Sequence, residues 1–421
     1  MNNLPSRKDL PVATNGRHVV GIDIGQMRHA AAGLTAAGAI FGRELSFENN
    51  RAGVERLAQQ LLVPLGGPEK VLIGMEATGH YWMPLYYQLT RRGYQVIVIN
   101  PIQTRGKFRS RIRKTKTDKL DARSIARLVL NGEAHAARIP DEPTLELRIL
   151  TRQRWRLVGI SGDIQRFAQS LIDRLFPEYP GLFSSPLIAA GKALIREYGL
   201  SPKALADDSE VLPTFLKHAS RGNLSPVKVQ ELIKRAKSSI GMTIAQATLT
   251  QQLQTTVTMI DAFAAQIAEL DKELERRVEE LKSPLSSLGL NAPLIATIHA
   301  ESDPMSDFKH YWQYVAYTGL DPSTFDSGKM HGTCVHISKR GSPHLRSALY
   351  LAAWTTYRRH KVLHHLYLRM KKSGRHHADA LIIVAHKLAR IIWRLLTDNR
   401  PFKARPPKPA PNKLSVAAVT H

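Results

Sequence analysis

The chain has 421 residues, with 60 Lys and Arg against 35 Asp and Glu, a formal net charge of +25 and a single cysteine, Cys334. This length predicts two or three domains, and a 43% hydrophobic content supports a buried core, which excludes wholesale disorder. One cysteine excludes a disulfide scaffold and a multi-cysteine zinc site and fits a reducing cytoplasm.

No uncharged apolar run approaches the ~20 residues of a membrane span, and the N-terminus lacks the apolar core of a secretory signal. The positive excess therefore calls for a polyanion, with nucleic acid ahead of an anionic membrane surface. In chain order, His18–Ile24 is an apolar run ending near an acid, which predicts a buried strand. Short strand-like stretches follow at Ala30–Leu34 and Ile40–Leu45. Asn50 opens a helical pattern through Val54, Leu57, Leu61 and Leu62. Lys70–Glu76 is a second apolar run ending in an acid, Tyr81–Leu89 reads as helical, and Gln95–Ile99 is a further strand closed by Asn100-Pro101. The order βββαβαβ is RNase H-like rather than doubly wound.

The middle is mostly helical. Leu145–Leu175 carries apolar residues at three-to-four spacing, and residues 176–240, with several Pro and Gly, read as irregular. Leu253, Ile260, Ile267, Leu274 and Leu281 fall at sevens, with Val257, Phe263, Leu270 and Val278 in the second apolar position, so 245–283 reads as a coiled coil. Ser283-Pro284 ends it. A last folded segment closes with an amphipathic helix through Leu381, Val384, Leu388, Ile391 and Leu395. The Pro- and Lys-rich tail from 399 to 421 reads as disordered, and 1–17 as a flexible arm.

Asp23 and Glu76 each end a predicted buried strand, where an ionised carboxylate is costly unless paired or metal-bound. Asp118 and Asp121 lie three apart on one helical face. Hard oxygen ligands of this kind suit Mg²⁺ or Mn²⁺, and two such ions about 3.5–4 Å apart can assist phosphodiester cleavage. Each acid also has an ordinary reading: Asp118 and Asp121 can pair with Lys119 or Arg123. The setting favours chemistry. Arg105, Lys107, Arg109, Arg111, Arg113, Lys114 and Lys116 precede these acids and would concentrate phosphate beside them.

The segments VVGIDIG, GMEATGHYW and VIVINPIQTRGKFRSRIRKTKTDKLDARSIARLV resemble the DEDD-type transposases of the insertion-sequence 110 family, to which the Piv-type DNA invertases are related. The resemblance implies that Asp23, Glu76, Asp118 and Asp121 form a four-acid metal site on an RNase H- or RuvC-like domain. YVAYTGLDPSTFDSGKMHGTCVHISKRGSPHLRSALYLAAW resembles the family's second domain, whose Ser-Gly motif carries a nucleophile. Ser327 is the matching position, with Ser323 and Ser338 as rivals. The implied covalent phosphoserine would conserve phosphodiester energy, and Lys329, Lys339 and Arg340 would offset charge at the phosphate.

The chain departs from the family pattern in a longer region over 176–240, in its N-terminal arm and Pro-rich tail, and at two motifs. Asp326 stands where many relatives have a second Ser, and the family's glycine-rich hairpin is degraded at Leu288–Ala296. Among other candidates, His360 and His364 have zinc-ligand spacing on a helix, but without an accompanying Cys or acid they read instead as part of a basic patch with Arg358 and Arg359. Tyr81 and Trp82 read as stacking or core residues, and Arg28 as a phosphate contact or a turn end.

The expected architecture is an α/β RNase H-like (RuvC-like) domain over 18–135, a helical region with a coiled coil over 140–284, and a mostly α-helical transposase domain over 285–398. The expected activity is that of an insertion-sequence transposase or site-specific recombinase using Mg²⁺ (or Mn²⁺) and Ser327. Its expected partners are DNA, a structured guide RNA as the resemblance implies for some relatives, and further copies of the chain, with no membrane. The alternatives are a metal-dependent Holliday-junction nuclease using water, and a nucleic-acid-binding protein without catalysis.

Overall fold

A computed structural model of the chain describes residues 14–77, 79–99, 118–137, 139–322, 326–327, 330–331 and 336–403, with the backbone alone at 118–120, 326–327 and 330–331. The chain divides into two compact units, Met1–Asp141 with Pro304–Gln313, and Glu142–Asp303 with Tyr314–His421.

The first unit is built on a mixed five-stranded sheet. Strands β1 (His18–Asp23), β2 (Arg28–Leu34) and β3 (Ile40–Glu48) form an antiparallel meander. Helix α1 (Arg51–Leu57) follows, capped by Asn50, whose side chain accepts the Gly53 amide at 2.8 Å. A π turn at Ala58–Leu62 and the short α2 (Gly67–Lys70) lead into β4 (Val71–Glu76). Helix α3 (Trp82–Arg91), β5 (Gln95–Ile99) and α4 (Asp118–Leu130) complete the unit's main elements. The sheet order is β3-β2-β1-β4-β5, with β1, β4 and β5 mutually parallel. Apolar residues fill β1 and β4 because both faces are covered. Val20, Ile22, Ile73 and Met75 face a core with residues of α1 and α3, whereas Val19, Leu72 and Ile97 pack with Ile125 and Val129 of α4.

The second unit is mostly helical. Long helices α5 (Glu142–Leu175) and α10 (Gln246–Leu281) bracket four shorter ones, α6 (Ala189–Tyr198), α7 (Pro202–Asp207), α8 (Leu212–Ala219) and α9 (Pro226–Lys237). The stretch expected to be irregular is thus a small helical bundle whose Leu194, Leu205, Leu216 and Leu232 are fully buried. The prolines that suggested breaks stand in first turns, at Pro202, Pro213 and Pro226, where a missing N–H costs nothing.

Helices α5 and α10 run antiparallel: Arg277 pairs with Glu146 at 2.8 Å, Arg154 pairs with Asp271, and the Met242 amide donates to Arg174 O at 2.9 Å. Most of the heptad stripe is therefore packed within the chain, while Leu281 at its end is exposed. Leu253, Val257, Ile260, Leu274 and Val278 are buried, while Phe263, Ile267 and Leu270 are half-buried. The remaining helices are α11 (Ala292–Ser302), α12 (Tyr311–Thr318), α13 (Pro343–Thr356), α14 (Lys361–Lys372) and α15 (His377–Asp398). A two-rung hairpin, β6 (Asp326–Ser327) with β7 (Met330–His331), precedes α13. Among the described residues no helix is long and apolar enough to cross a membrane.

Candidate active site

Strands β1 and β4 are adjacent and parallel, with Ile22 opposite Met75 as the last rung. Asp23 and Glu76 are the next residues on each strand, so they end neighbouring strands side by side. The strand period of two sets them on the face of Val19 and Leu72, the one covered by α4. This helix sits very close to the sheet. A Cβ at Gly21 would lie 2.1 Å from Ala122 O, and one at Gly74 would lie 2.6 Å from Val129 Cγ2. Ala122 also clusters with Ala30 and Ala32, which oppose Asp23 and Gly21 in the β1–β2 ladder. The N-terminal turn of α4, which carries Asp121, is consequently held beside the end of β1, next to Asp23. All three acids are half-buried.

The side chain of Asp118, the first residue of α4, and residues 105, 107, 109, 111, 113, 114 and 116 of the basic stretch lie outside the described residues. Among the described residues, no three His, Cys, Asp or Glu side chains are gathered closely enough to hold a metal ion. The donor set still suits Mg²⁺, which commonly keeps several waters and binds through one or two carboxylates.

Sequence reasoning missed His29. Its ring is buried, and its Nδ1 accepts the Gly25 amide at 3.3 Å, fixing the turn that follows Asp23. Burial pushes its pKa below the ordinary value, against a hydrogen bond to Asn49 that acts the other way. The ring is thus kept neutral and able to accept. Arg28 pairs with Glu48 at 3.0 Å, so it has a structural partner. Tyr81 and Trp82 are half-buried against the core on the α1/α3 face.

In the second unit, the hairpin bearing Ser327 springs from a braced root. Pro322 and Ile337 form an antiparallel bridge. The Ser338 amide donates to Asp321 O at 2.8 Å, the Lys339 amide donates to Gly319 O at 3.1 Å, and the Ser338 hydroxyl donates to the Asp321 carboxylate at 2.5 Å. Gly341 is required here because a Cβ would lie 1.7 Å from Tyr317 O. Ser338, a rival nucleophile, is committed to this brace. Lys339 and Arg340 are exposed, and Lys339 takes a left-handed φ of 54°. Ser323 and Lys329 lie outside the described residues, and Ser327 and Asp326 are described by backbone alone.

A serine–histidine–aspartate chain also occurs in this unit: Ser283 Oγ lies 2.8 Å from His299 Nε2, and His299 Nδ1 lies 3.0 Å from Asp303 Oδ2. Ser283 is only 5% exposed and caps a 3₁₀ turn by accepting the Leu285 amide, so this chain fastens α10 to α11 and offers no accessible nucleophile. His360 Nε2 is engaged with Leu288 O at 3.1 Å, and no zinc-type cluster is present among the described residues.

Residues 20–177 match a family model described as a transposase of the DEDD insertion-sequence 110 type, and residues 285–368 match that of the transposase IS116/IS110/IS902 family. The chain belongs to the insertion-sequence 110 family of transposases and recombinases. It is 23% identical over 393 residues to an insertion element IS116 uncharacterized 44.8 kDa protein of Streptomyces clavuligerus, covering 92% of this chain and 96% of the relative. It is 22% identical to the pilin gene-inverting protein of Moraxella lacunata, covering 92% of this chain and 98% of that one. An insertion element IS110 uncharacterized 43.6 kDa protein of Streptomyces coelicolor is 24% identical over 92% of this chain and 96% of its own length.

Proposed function

We propose that this protein recombines DNA by a metal-assisted phosphoserine pathway. What supports this reading is that Asp23 and Glu76 end neighbouring parallel strands, and that Ala122, next to Asp121, packs against Gly21 and Ala30 at the end of β1. The order β3-β2-β1-β4-β5 supports an RNase H- or RuvC-like reading of this unit. Asp23, Glu76, Asp118 and Asp121 would hold Mg²⁺ or Mn²⁺, which when bound polarises a phosphoryl oxygen. Ser327 Oγ would attack phosphorus, forming a serine phosphoester while the P–O3′ bond breaks, and the serine proton would finish on the released 3′ oxygen. A second strand's 3′-hydroxyl reverses the step, so one phosphodiester replaces another with no external energy source. Arg105, Lys107, Arg109, Arg111, Arg113, Lys114, Lys116, Lys329, Lys339 and Arg340 would carry the phosphate backbone.

A structured guide RNA is part of this proposal, and a net charge of +25 is compatible with binding RNA as well as DNA. A homo-oligomer is supported by the exposed Trp155, Val158, Phe167 and Met259 along α5 and α10. The name of the Moraxella relative, a gene-inverting protein, agrees with strand exchange as the outcome.

The test is denaturing-gel capture of labelled DNA spanning an element end, with Mg²⁺ and the co-purified nucleic acid retained. A protein–DNA adduct that vanishes in both Ser327→Ala and Asp121→Asn is expected. Cleaved DNA without an adduct, unchanged by Ser327→Ala, would replace this reading with a water-using junction nuclease.

A further inference from the structure

The second unit holds a cavity of about 1520 Å³ between α14, α15 and the segment 400–403, well above the roughly 300–1,000 Å³ of small-molecule sites. One face of each helix lines it. Lys361, Val362 and His365 lie within one turn of α14, and Lys387, Ile391 and Leu395 repeat every four residues along α15. The third wall is pinned in place. The Phe402 amide donates to Ser287 Oγ at 2.8 Å, and its ring meets His360 edge-on with centroids 5.0 Å apart.

The lining combines two properties. Lys361, Lys387, Arg400 and Lys403 supply positive charge, and the one acid among the lining residues, Asp398, is paired with Arg394 at 2.6 Å. Between these cations lie apolar surfaces from Val362, Ile391 and Phe402. A duplex presents phosphates but keeps its bases stacked inside. An unpaired strand presents phosphates and bare base faces together, and sites for such strands pair cations with aromatic or apolar platforms.

We propose that this cavity is a binding site for an unpaired stretch of nucleic acid, with phosphates on Lys361, Lys387, Arg400 and Lys403 and a base against Phe402. The site goes beyond the recombination reading, because binding here needs neither Ser327 nor the carboxylates. The shared chemistry is that of a single strand, DNA or RNA.

The test uses the full-length protein freed of co-purified nucleic acid, with fluorescent oligodeoxythymidine, oligouridine and a mixed-sequence duplex, titrated at several salt concentrations. Phe402→Leu is expected to weaken both single strands about five-fold or more, leaving the salt slope and duplex affinity unchanged. Lys361→Gln with Lys387→Gln is expected to lower the salt slope for single strands by about 0.7 per lost phosphate contact. A larger loss for oligouridine than for oligodeoxythymidine assigns the site to RNA, and the reverse assigns it to DNA. Photocrosslinking wild-type protein to 5-iodouridine strands, with peptide mapping, gives an answer even if a variant fails to fold. Adducts at Lys361–His365, Lys387–Leu395 or Arg400–Lys403 support the proposal. Adducts confined elsewhere overturn it, as do folded variants with unchanged binding, an equal loss for the duplex, or an altered oligomeric state with intact strand binding.

Discussion

The sheet-bearing unit and the helical unit hold their functional elements in opposite ways. In the first, α4 is brought onto the strands by small residues: Gly21 lets strand meet helix backbone, Gly74 makes room for the Val129 side chain, and Ala30, Ala32 and Ala122 pack together. In the second, long helices are joined by polar side chains reaching across. Arg152 grips Glu301 at 2.7 and 3.0 Å, and Arg148 donates to Ala300 O at 2.8 Å. Close backbone packing tolerates no added atom. Reaching side chains tolerate change in proportion to their exposure.

The sharpest way to break this comparison is Gly21→Ala. The added methyl would sit 2.1 Å from Ala122 O and 2.4 Å from Ala126 N, both helix backbone that cannot swing away. A loss of about 3 kcal/mol or more is expected, at or above the upper end for overpacking, with the first unit melting early in a thermal scan. Arg152→Ala comes next. Glu301 is 2% exposed, and burial alone would raise its carboxyl pKa. Hydrogen bonds and charge from Arg152, aided by Arg148 and Ser342, outweigh that and hold it below the ordinary value. Removing Arg152 strands a buried carboxylate, at roughly 3 kcal/mol. Glu301→Gln should cost less, because Arg152 is 46% exposed and water can take it up. Equal losses for the two variants in denaturant titrations would contradict this asymmetry.

Much of the first unit was legible because its signals are local. Apolar runs ending in Asp23 and Glu76 mark strands, and Asn50 marks a helix start, each read within a few residues. Side-by-side strand ends follow once β1 and β4 are paired, and that pairing depends on a crossover through α1 that composition does not reveal. The role of His29 was illegible because its partner, the Gly25 amide, is a backbone group in a turn. The helices between 176 and 240 were missed because Pro202, Pro213 and Pro226 read equally as breakers and as first-turn residues. Only the burial of leucines from distant helices decides between those readings. Likewise, the heptads gave α10 but not its partner. The antiparallel match to α5 is written in Glu146, Arg154, Asp271 and Arg277, pairs more than a hundred residues apart.

Acid should act on both units through neutral histidines. Burial lowers the pKa of His29 in the first unit. In the second it lowers those of His344 and His386, joined by the Arg152 charge at His344 and the Arg390 and Lys387 charges at His386. A histidine with a folded pKa below the ordinary 6.5 favours the folded state only while neutral. Its contribution is complete above that pH and declines as pH falls and the unfolded chain takes up more protons. Thermal stability should therefore drop between about pH 7 and pH 5. His29→Gln should flatten the drop for the first unit alone, in unfolding followed by hydrogen exchange resolved by region.

The smallest effect is expected from the most conspicuous ion pairs. Arg276 reaches Glu273 at 2.6 Å and Glu280 at 2.5 Å on the surface of α10, and Arg276 with Arg277 holds Glu273 down to about 2. Geometry alone would rank this cluster with the Arg152–Glu301 pair. Exposure separates them. Around Arg276, water and salt replace whatever the carboxylates provide, and ordering three long side chains offsets the attraction. Arg276→Ala should leave the melting temperature unchanged within error at physiological salt. A clear loss there would mean that α10 draws its stability from surface charge rather than from the buried Leu253, Val257, Leu274 and Val278 packed within the chain, and the contrast between the units would then rest on charge as well as packing.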